Sequence, residues 1–95
     1  MSRSILTIVM TYDIARAQTR RRVSKLLEET MVRVQKSVFE ARLATRAANH
    51  LFDMAEALLD DGDSLRMYVM SQAGLSKSRV SGGSPLPEEG AFWLL

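Results

Sequence analysis

Asp13 is the acid whose position best suits chemistry. It follows an apolar, β-branched run from Ile5 to Thr11 and precedes an amphipathic helical pattern, so we expect it at the carboxyl end of a strand. A carboxylate there is an oxygen ligand for Mg²⁺, and it can equally cap the helix by accepting backbone N–H bonds. One carboxylate is a poor magnesium site, and a two-fold axis passing close to Asp13 would remove that objection by pairing two copies.

Positive charge is concentrated in the first half of the chain. The net charge is only +2, but residues 16–46 hold nine basic side chains against three acidic ones, whereas residues 53–63 hold five acids and no base. Such asymmetry is typical of a surface that binds a polyanion, although solvated helix faces give the same pattern. The predicted nucleic-acid-binding residues are Arg16, Arg20, Arg21, Arg22, Lys25, Arg33, Lys36, Arg42 and Arg46.

Several kinds of catalytic site are absent from the 95 residues. The chain has no cysteine, which excludes disulfides, thiolate metal sites and cysteine nucleophiles. It contains no P-loop, no dinucleotide fingerprint and no HExxH motif, and its one histidine, His50, has no histidine or cysteine partner. Chemistry is therefore expected from carboxylates, hydroxyls and basic side chains.

Periodicity predicts the elements that position these residues. The order is strand, helix, strand, strand, helix, strand, which is the split βαβ plan. We predict an α+β, ferredoxin-like domain with a four-stranded antiparallel sheet and two helices on one face. The predicted bounds are strands at 5–11, 32–35, 38–43 and 65–70, a first helix at 16–30, and a second helix capped by Thr45 and stopped by Gly62.

The last residues have a different composition. Glycine and proline are concentrated between Gly82 and Gly90, which predicts a domain over 1–80 followed by a linker and tail over 81–95. The tail ends in a very apolar run, which we expect to dock as an extra strand or in a groove. The apolar run near the amino terminus is too short to span a membrane and lacks a signal-peptide cleavage site, so we expect a cytoplasmic protein without membrane contact. The residues predicted to bind a partner are Phe92, Trp93, Leu94 and Leu95.

Three stretches resemble the CRISPR-associated protein two (Cas-two) family. They are Tyr12-Asp13-Ile14 with the basic residues at 20–22, the run RVQKSVFE at 33–40, and the run DSLRMY at 63–68. They occur in order, with compatible spacing, over roughly residues 5–70. RVQKSVFE is the most specific of the three.

The resemblance implies a ferredoxin-like homodimer that works in spacer acquisition. Such a dimer bridges two dimers of the CRISPR integrase and holds the double-stranded DNA that becomes a new spacer. The resemblance also implies a Mg²⁺-dependent endonuclease acting on single-stranded RNA or double-stranded DNA, with Asp13 as catalytic residue and metal ligand. Tyr12, Ser37 and Phe39 are second-rank candidates near that site, and the family's C-terminal segment commonly adds a strand to the partner protomer's sheet.

The chain departs from the family pattern in two places. Ala15 and Arg16 stand where many relatives carry another acid, and Thr30 and Met31 stand where glycine is common. The missing acid favours DNA holding over metal chemistry. Alternatives are a toxin-like ribonuclease of the same fold, a non-catalytic structural adaptor, and an RRM-type RNA-binding module, which would need an RNP-like aromatic motif that is absent.

Overall fold

A computed structural model describes residues 5–87. The C-terminal part of the predicted tail, including residues 92–95, lies outside the described residues. No helix within residues 5–87 has both the length and the apolar character needed to cross a bilayer. The elements are β1 (Ile5–Asp13), α1 (Ala17–Leu27), β2 (Val32–Gln35), β3 (Val38–Ala44), α2 (Thr45–Glu56), β4 (Ser64–Met70) and α3 (Gln72–Ser76).

The four strands form one antiparallel sheet in the order β2-β3-β1-β4. The central strand β1 pairs with β3, where Met10 faces Phe39, and with β4, where Asp13 faces Ser64. The edge strand β2 pairs with β3 and contains a register shift between Arg33 and Gln35. The predicted ferredoxin-like α+β fold is confirmed.

The core lies between one sheet face and the helices α1 and α2. Alternate residues of β1 point into it, and Ile8 and Met10 are fully buried there. Val23 and Leu27 of α1 close the core because a spacing of four residues keeps them on one side of the helix. The other members of this cluster are Tyr12, Ile14, Met31, Phe39, Ala41, Ala48, Leu51 and Ala55.

The opposite side of the sheet is here called the second sheet face, and it carries Thr7, Val9, Thr11, Asp13 and the residues paired with them. Its Thr7 end is covered by α3, a helix that the sequence patterns did not predict. Leu75 of α3 is buried, and its neighbour Ser71 caps the helix by accepting a hydrogen bond from the Gly74 amide at 3.1 Å. The Asp13 end carries no helix among the described residues.

Both long helices end earlier than predicted. After Leu27 and after Glu56 the backbone tightens into turns closed by bonds between residues three apart, such as Thr30 N–H to the Leu27 carbonyl at 3.2 Å. Gly62 therefore lies in a loop beyond α2 and does not stop it directly. The predicted cap at Thr45 is wrong: β3 runs straight into α2, so Ala44 occupies the cap position and makes no side-chain bond.

Candidate functional site

Asp13 is the exposed last residue of β1. It does not cap α1, because the N-cap position belongs to Arg16 and no side chain caps the helix there. Within residues 5–87 the Asp13 carboxylate accepts no hydrogen bond, so the capping role weighed from the sequence does not apply. A carboxylate with no structural partner in the described chain is open to a ligand.

The number of acidic ligands limits what one chain can bind. Among residues 5–87, no group of three or more His, Cys, Asp or Glu side chains is placed to hold a metal. A carboxylate oxygen is the right donor for Mg²⁺, but that ion usually takes one or two carboxylates together with phosphate oxygens. The donor type at Asp13 fits a magnesium ion, and the donor number requires a second copy of the chain or a bound phosphate.

The predicted basic residues fall into distinct groups. Arg21, Arg22 and Lys25 are exposed on the side of α1 away from its buried stripe, and they are here called the α1 basic face. Lys36, in the β2–β3 turn, and Arg46, in the first turn of α2, are also exposed. None of these five side chains forms an ion pair within the described residues, so their charge is available to a polyanion.

Three other basic residues are exposed but already engaged. Arg16 pairs with Asp60 at 3.4 Å, and Arg33 pairs with Glu28 at 3.6 Å while lying 5.2 Å from the centre of the Phe39 ring. Arg20 donates to the backbone carbonyls of Ile14 and Ala15 at 3.1 and 2.8 Å. These bonds anchor the turn after Asp13, so Arg20 shapes the backbone next to the candidate acid.

Arg42 does not belong to an exposed basic surface. It is 7% exposed on the second sheet face, opposite Thr7, and it donates to the Gln72 side chain of α3 at 2.8 Å. Its Nε has no partner in the described chain. The sequence prediction fails here because β3 alternates, and Arg42 points to the face that α3 covers.

The second-rank candidates are structural. Phe39 is fully buried in the core. The Tyr12 hydroxyl is bonded to the Ser24 hydroxyl at 2.6 Å and donates to the Lys36 carbonyl at 3.2 Å, which ties α1 to the β2–β3 turn. Ser37 contributes its carbonyl, which accepts from the Tyr12 amide at 3.1 Å. These residues hold Lys36 against α1 and do not face the Asp13 carboxylate.

A cavity of about 500 Å³ lies away from Asp13. It is lined by Val34, Gln35, Glu40 and residues 80–84. Burial raises the pKa of the Glu40 carboxyl above its ordinary value. Asp13 does not line this cavity, so the candidate acid and the cavity are separate features.

The acid and the α1 basic face lie on opposite sides of the sheet. Side chains alternate along β1, so Asp13 shares the second sheet face with Thr11, whereas α1 packs on the other face against Met10 and Tyr12. A duplex lying along the α1 basic face does not automatically contact Asp13. Mutations at Asp13 and mutations on the α1 basic face therefore alter separate surfaces of the domain.

The comparison with protein families decides the identity. The family model described as CRISPR associated protein Cas2 matches residues 6–78. This chain belongs to the Cas2 family. The match covers every strand and all three helices of the described fold, so the resemblance seen in the three sequence stretches extends over the whole domain.

Curated Cas2 relatives carry two different activity names. A Chloroflexus aurantiacus protein named CRISPR-associated endoribonuclease Cas2 3 is 39% identical over 75 residues, which cover 78% of this chain and 81% of that protein. A Thermus thermophilus protein named CRISPR-associated endonuclease Cas2 2 is 39% identical over 80 residues, covering 83% and 84%. A solved structure from Thermus thermophilus, described as a hypothetical protein, superposes with a TM-score of 0.74 at 37% identity, covering 90% of this chain and all of that one.

Sequence patterns missed one set of contacts next to Asp13. Asp60 and Asp63 are assigned no structural role from the sequence, yet both bond to the start of α1 or the turn before it. These contacts join residues more than forty positions apart, so no local pattern reports them. The DSLRMY stretch was the one available signal, since it places Asp63 directly before the strand that pairs with Asp13.

Proposed function

We propose that this Cas2 chain acts as a homodimer that holds double-stranded spacer-precursor DNA and bridges CRISPR integrase dimers, with phosphodiester hydrolysis at Asp13 as a second, separate activity. The observation that carries the proposal is the α1 basic face, whose three cations have no acidic partner within the described residues. Cations left unpaired on a helix contact phosphates without reading bases.

DNA holding is supported by the way the positive surface is built. The Tyr12 hydroxyl contacts both Ser24 of α1 and the Lys36 carbonyl, so Lys36 is held close to the helix. A preorganised row of cations binds phosphates without first ordering a loop. In a dimer each phosphate-binding residue occurs twice, which lengthens the stretch of duplex that can be held.

A second copy is proposed to pack on the second sheet face. One cross-strand row of that face contains Val32, Glu40, Val9 and Tyr68, and its outer members Val32 and Tyr68 are 58% and 53% exposed. Large apolar and aromatic side chains exposed on a sheet face favour burial against another surface. Asp13 lies on the same face, so a two-fold axis that passes close to the end of β1 would also bring two carboxylates together.

Hydrolysis is proposed at the paired Asp13 carboxylates. Mg²⁺ held by these carboxylates and by phosphate oxygens supplies Lewis-acid polarisation of the phosphodiester and a more acidic water. The chain itself contributes the carboxylate position, which the bonds from Arg20 to the Ile14 and Ala15 carbonyls help to maintain. Single-stranded RNA and double-stranded DNA are both proposed as substrates, in keeping with relatives named endoribonuclease and endonuclease.

The salt dependence of duplex binding tests the holding role. Arg22→Gln/Lys25→Gln removes one arginine and one lysine from the α1 basic face, and Lys77→Gln/Arg79→Gln removes the same two residue types from an exposed segment after α3. A dimer of the first variant loses four phosphate contacts, so the slope of log K against log salt becomes shallower by about 3 to 4. The second variant should keep the wild-type slope, and equal slopes in all three proteins contradict the proposal.

The same binding assay separates holding from hydrolysis. Asp13→Asn should retain wild-type duplex affinity, because the acid lies on the other side of the sheet, and it should abolish magnesium-dependent cleavage of RNA and DNA. Cleavage that survives in a highly purified Asp13→Asn dimer removes Asp13 from the mechanism. Wild-type protein that binds duplex but never cleaves it supports the non-catalytic adaptor, the candidate favoured by the opposite placement of the acid and the α1 basic face.

A further inference from the structure

We propose that Asp63 is a positioning residue that fixes the turn carrying Asp13. The link between Asp63 and hydrolysis rests on the proposed function of Asp13. The role of Asp63 in ordering the turn does not depend on that function. Asp63 lies just before Ser64, the residue that pairs with Asp13 across the sheet. Its carboxylate accepts a hydrogen bond from the Ala15 amide at 3.1 Å, two residues after the candidate acid.

The second oxygen of Asp63 stabilises the loop that presents it. Oδ2 accepts from the Asp60 amide at 2.9 Å, and the Asp63 amide donates to the Asp60 carbonyl at 3.1 Å. Gly62 adopts φ +87° between them, a conformation that favours glycine. These bonds close a compact turn, here called the Asp60–Asp63 loop, with both Asp63 oxygens bonded to backbone amides.

The same loop also holds the first turn of α1. The Asp60 carboxylate accepts from the Thr19 hydroxyl at 2.6 Å and from Arg16 at 3.4 Å. The first turn of α1 has no acidic residue and no side-chain cap of its own. Asp60 thus places a negative charge near the positive end of the α1 dipole. Its hydrogen bonds also join the start of α1 to the loop that precedes β4.

Asp63 and Arg20 both form hydrogen bonds with the backbone of the turn after Asp13. Asp63 accepts from the Ala15 amide, whereas Arg20 donates to the Ile14 and Ala15 carbonyls. The Asp13 carboxylate itself makes no bond within residues 5–87, so its direction depends on the backbone that carries it. Displacing a reacting group by about 1 Å can cost on the order of a hundredfold in rate, which makes this support relevant to hydrolysis.

The experiment uses Asp63→Ala, Asp63→Asn and, as matched control, Asp61→Ala in the full-length protein. Asp61 is exposed in the same loop and bonds to nothing in the described chain. Amide hydrogen exchange is measured at Ala15, well below the unfolding temperature. Exchange should accelerate by about tenfold or more in Asp63→Ala, because a hydrogen bond to a charged acceptor is lost. Asp63→Asn should retain part of the protection, since its Oδ1 can still accept from Ala15 while its NH₂ group cannot accept from the Asp60 amide.

Hydrolysis of RNA or duplex DNA with added Mg²⁺ is the second readout. Asp63→Ala should lower kcat by about 10- to 100-fold with KM unchanged, and the rate of Asp63→Asn should lie between those of Asp63→Ala and wild type. Wild-type exchange at Ala15 in Asp63→Ala, or equal acceleration in Asp61→Ala, overturns the inference. If Asp13→Asn cleaves like wild type, the proposed hydrolytic role fails, while the exchange data still decide whether Asp63 orders the turn.

Discussion

Removing the Tyr12 hydroxyl should destabilise the fold through one buried contact. Tyr12→Phe keeps the ring, which lies 6.0 Å from the Phe39 ring, so the change isolates the hydroxyl. That hydroxyl is bonded to Ser24 at 2.6 Å and to the Lys36 carbonyl at 3.2 Å, and Ser24 is only 5% exposed. The net loss of such a bond costs about 1 kcal/mol, and a buried partner left without its bond raises the total to about 1–3 kcal/mol.

A double-mutant cycle tests this account. The free energy of unfolding is measured in urea for wild type, Tyr12→Phe, Ser24→Ala and the double variant, at one fixed protomer concentration because dimerisation adds to apparent stability. The two changes should be non-additive by about 0.5–1.5 kcal/mol, since each one removes the same bond. Additive losses, or a Tyr12→Phe cost within experimental error, refute the role assigned to this hydroxyl.

Two further changes test particular groups. Burial raises the Glu40 pKa, so its protonated form stabilises the fold, and this contribution is lost as pH rises from about 4.3 through the higher native pKa. Glu40→Gln should therefore gain stability relative to wild type over that rise, measured as the free energy of unfolding in urea. Parallel curves for the two proteins contradict the assignment. Gly62→Ala should lower the free energy of unfolding by about 1–2 kcal/mol in the same assay, because a side chain at φ +87° strains the backbone. Steric contact is not the cause, since nothing lies within 4 Å of the added carbon. An unchanged urea midpoint shows that the loop adopts another conformation.

The order of the four strands and the two long helices was predictable because each of these elements has a clear hydrophobic pattern. Continuous β-branched residues marked β1, and Thr19, Val23 and Leu27 repeat every four residues along α1, so strand and helix patterns were distinct. Helix ends were predicted too late because leucine and threonine continue the pattern through turns whose bonds have already tightened. The short α3 has no such period, and its Leu75 is buried where the helix packs on β1 and β4.

Composition alone misjudged which charged residues belong to a site. Arg42 counted as one more cation in a basic segment, yet the alternation of β3 buries it beneath α3. The predicted position of Asp13 at the end of a strand is confirmed, whereas its site role stays a prediction. Its freedom from the helix cap appears only once Arg16 is seen to occupy that place. Contacts between residues far apart in the sequence decide both cases, and a local sequence pattern does not reveal them.

The placement of Asp13 and the α1 basic face on opposite sides of the sheet affects how the proposed DNA holding and the proposed hydrolysis relate. Asp13 lies on the second sheet face, where a second copy is proposed to pack, whereas the α1 basic face points away from the sheet on the other side. A phosphate that reaches Asp13 must enter at the end of β1, because the rest of its face is covered by α3 or proposed to be buried in the dimer. A long duplex can lie along two copies of the α1 basic face without entering there, and a flexible single strand meets that steric demand more easily than a stiff duplex does. A duplex held on the α1 basic faces as proposed would therefore lie apart from Asp13, and we predict that hydrolysis at Asp13 favours single-stranded RNA over an intact duplex.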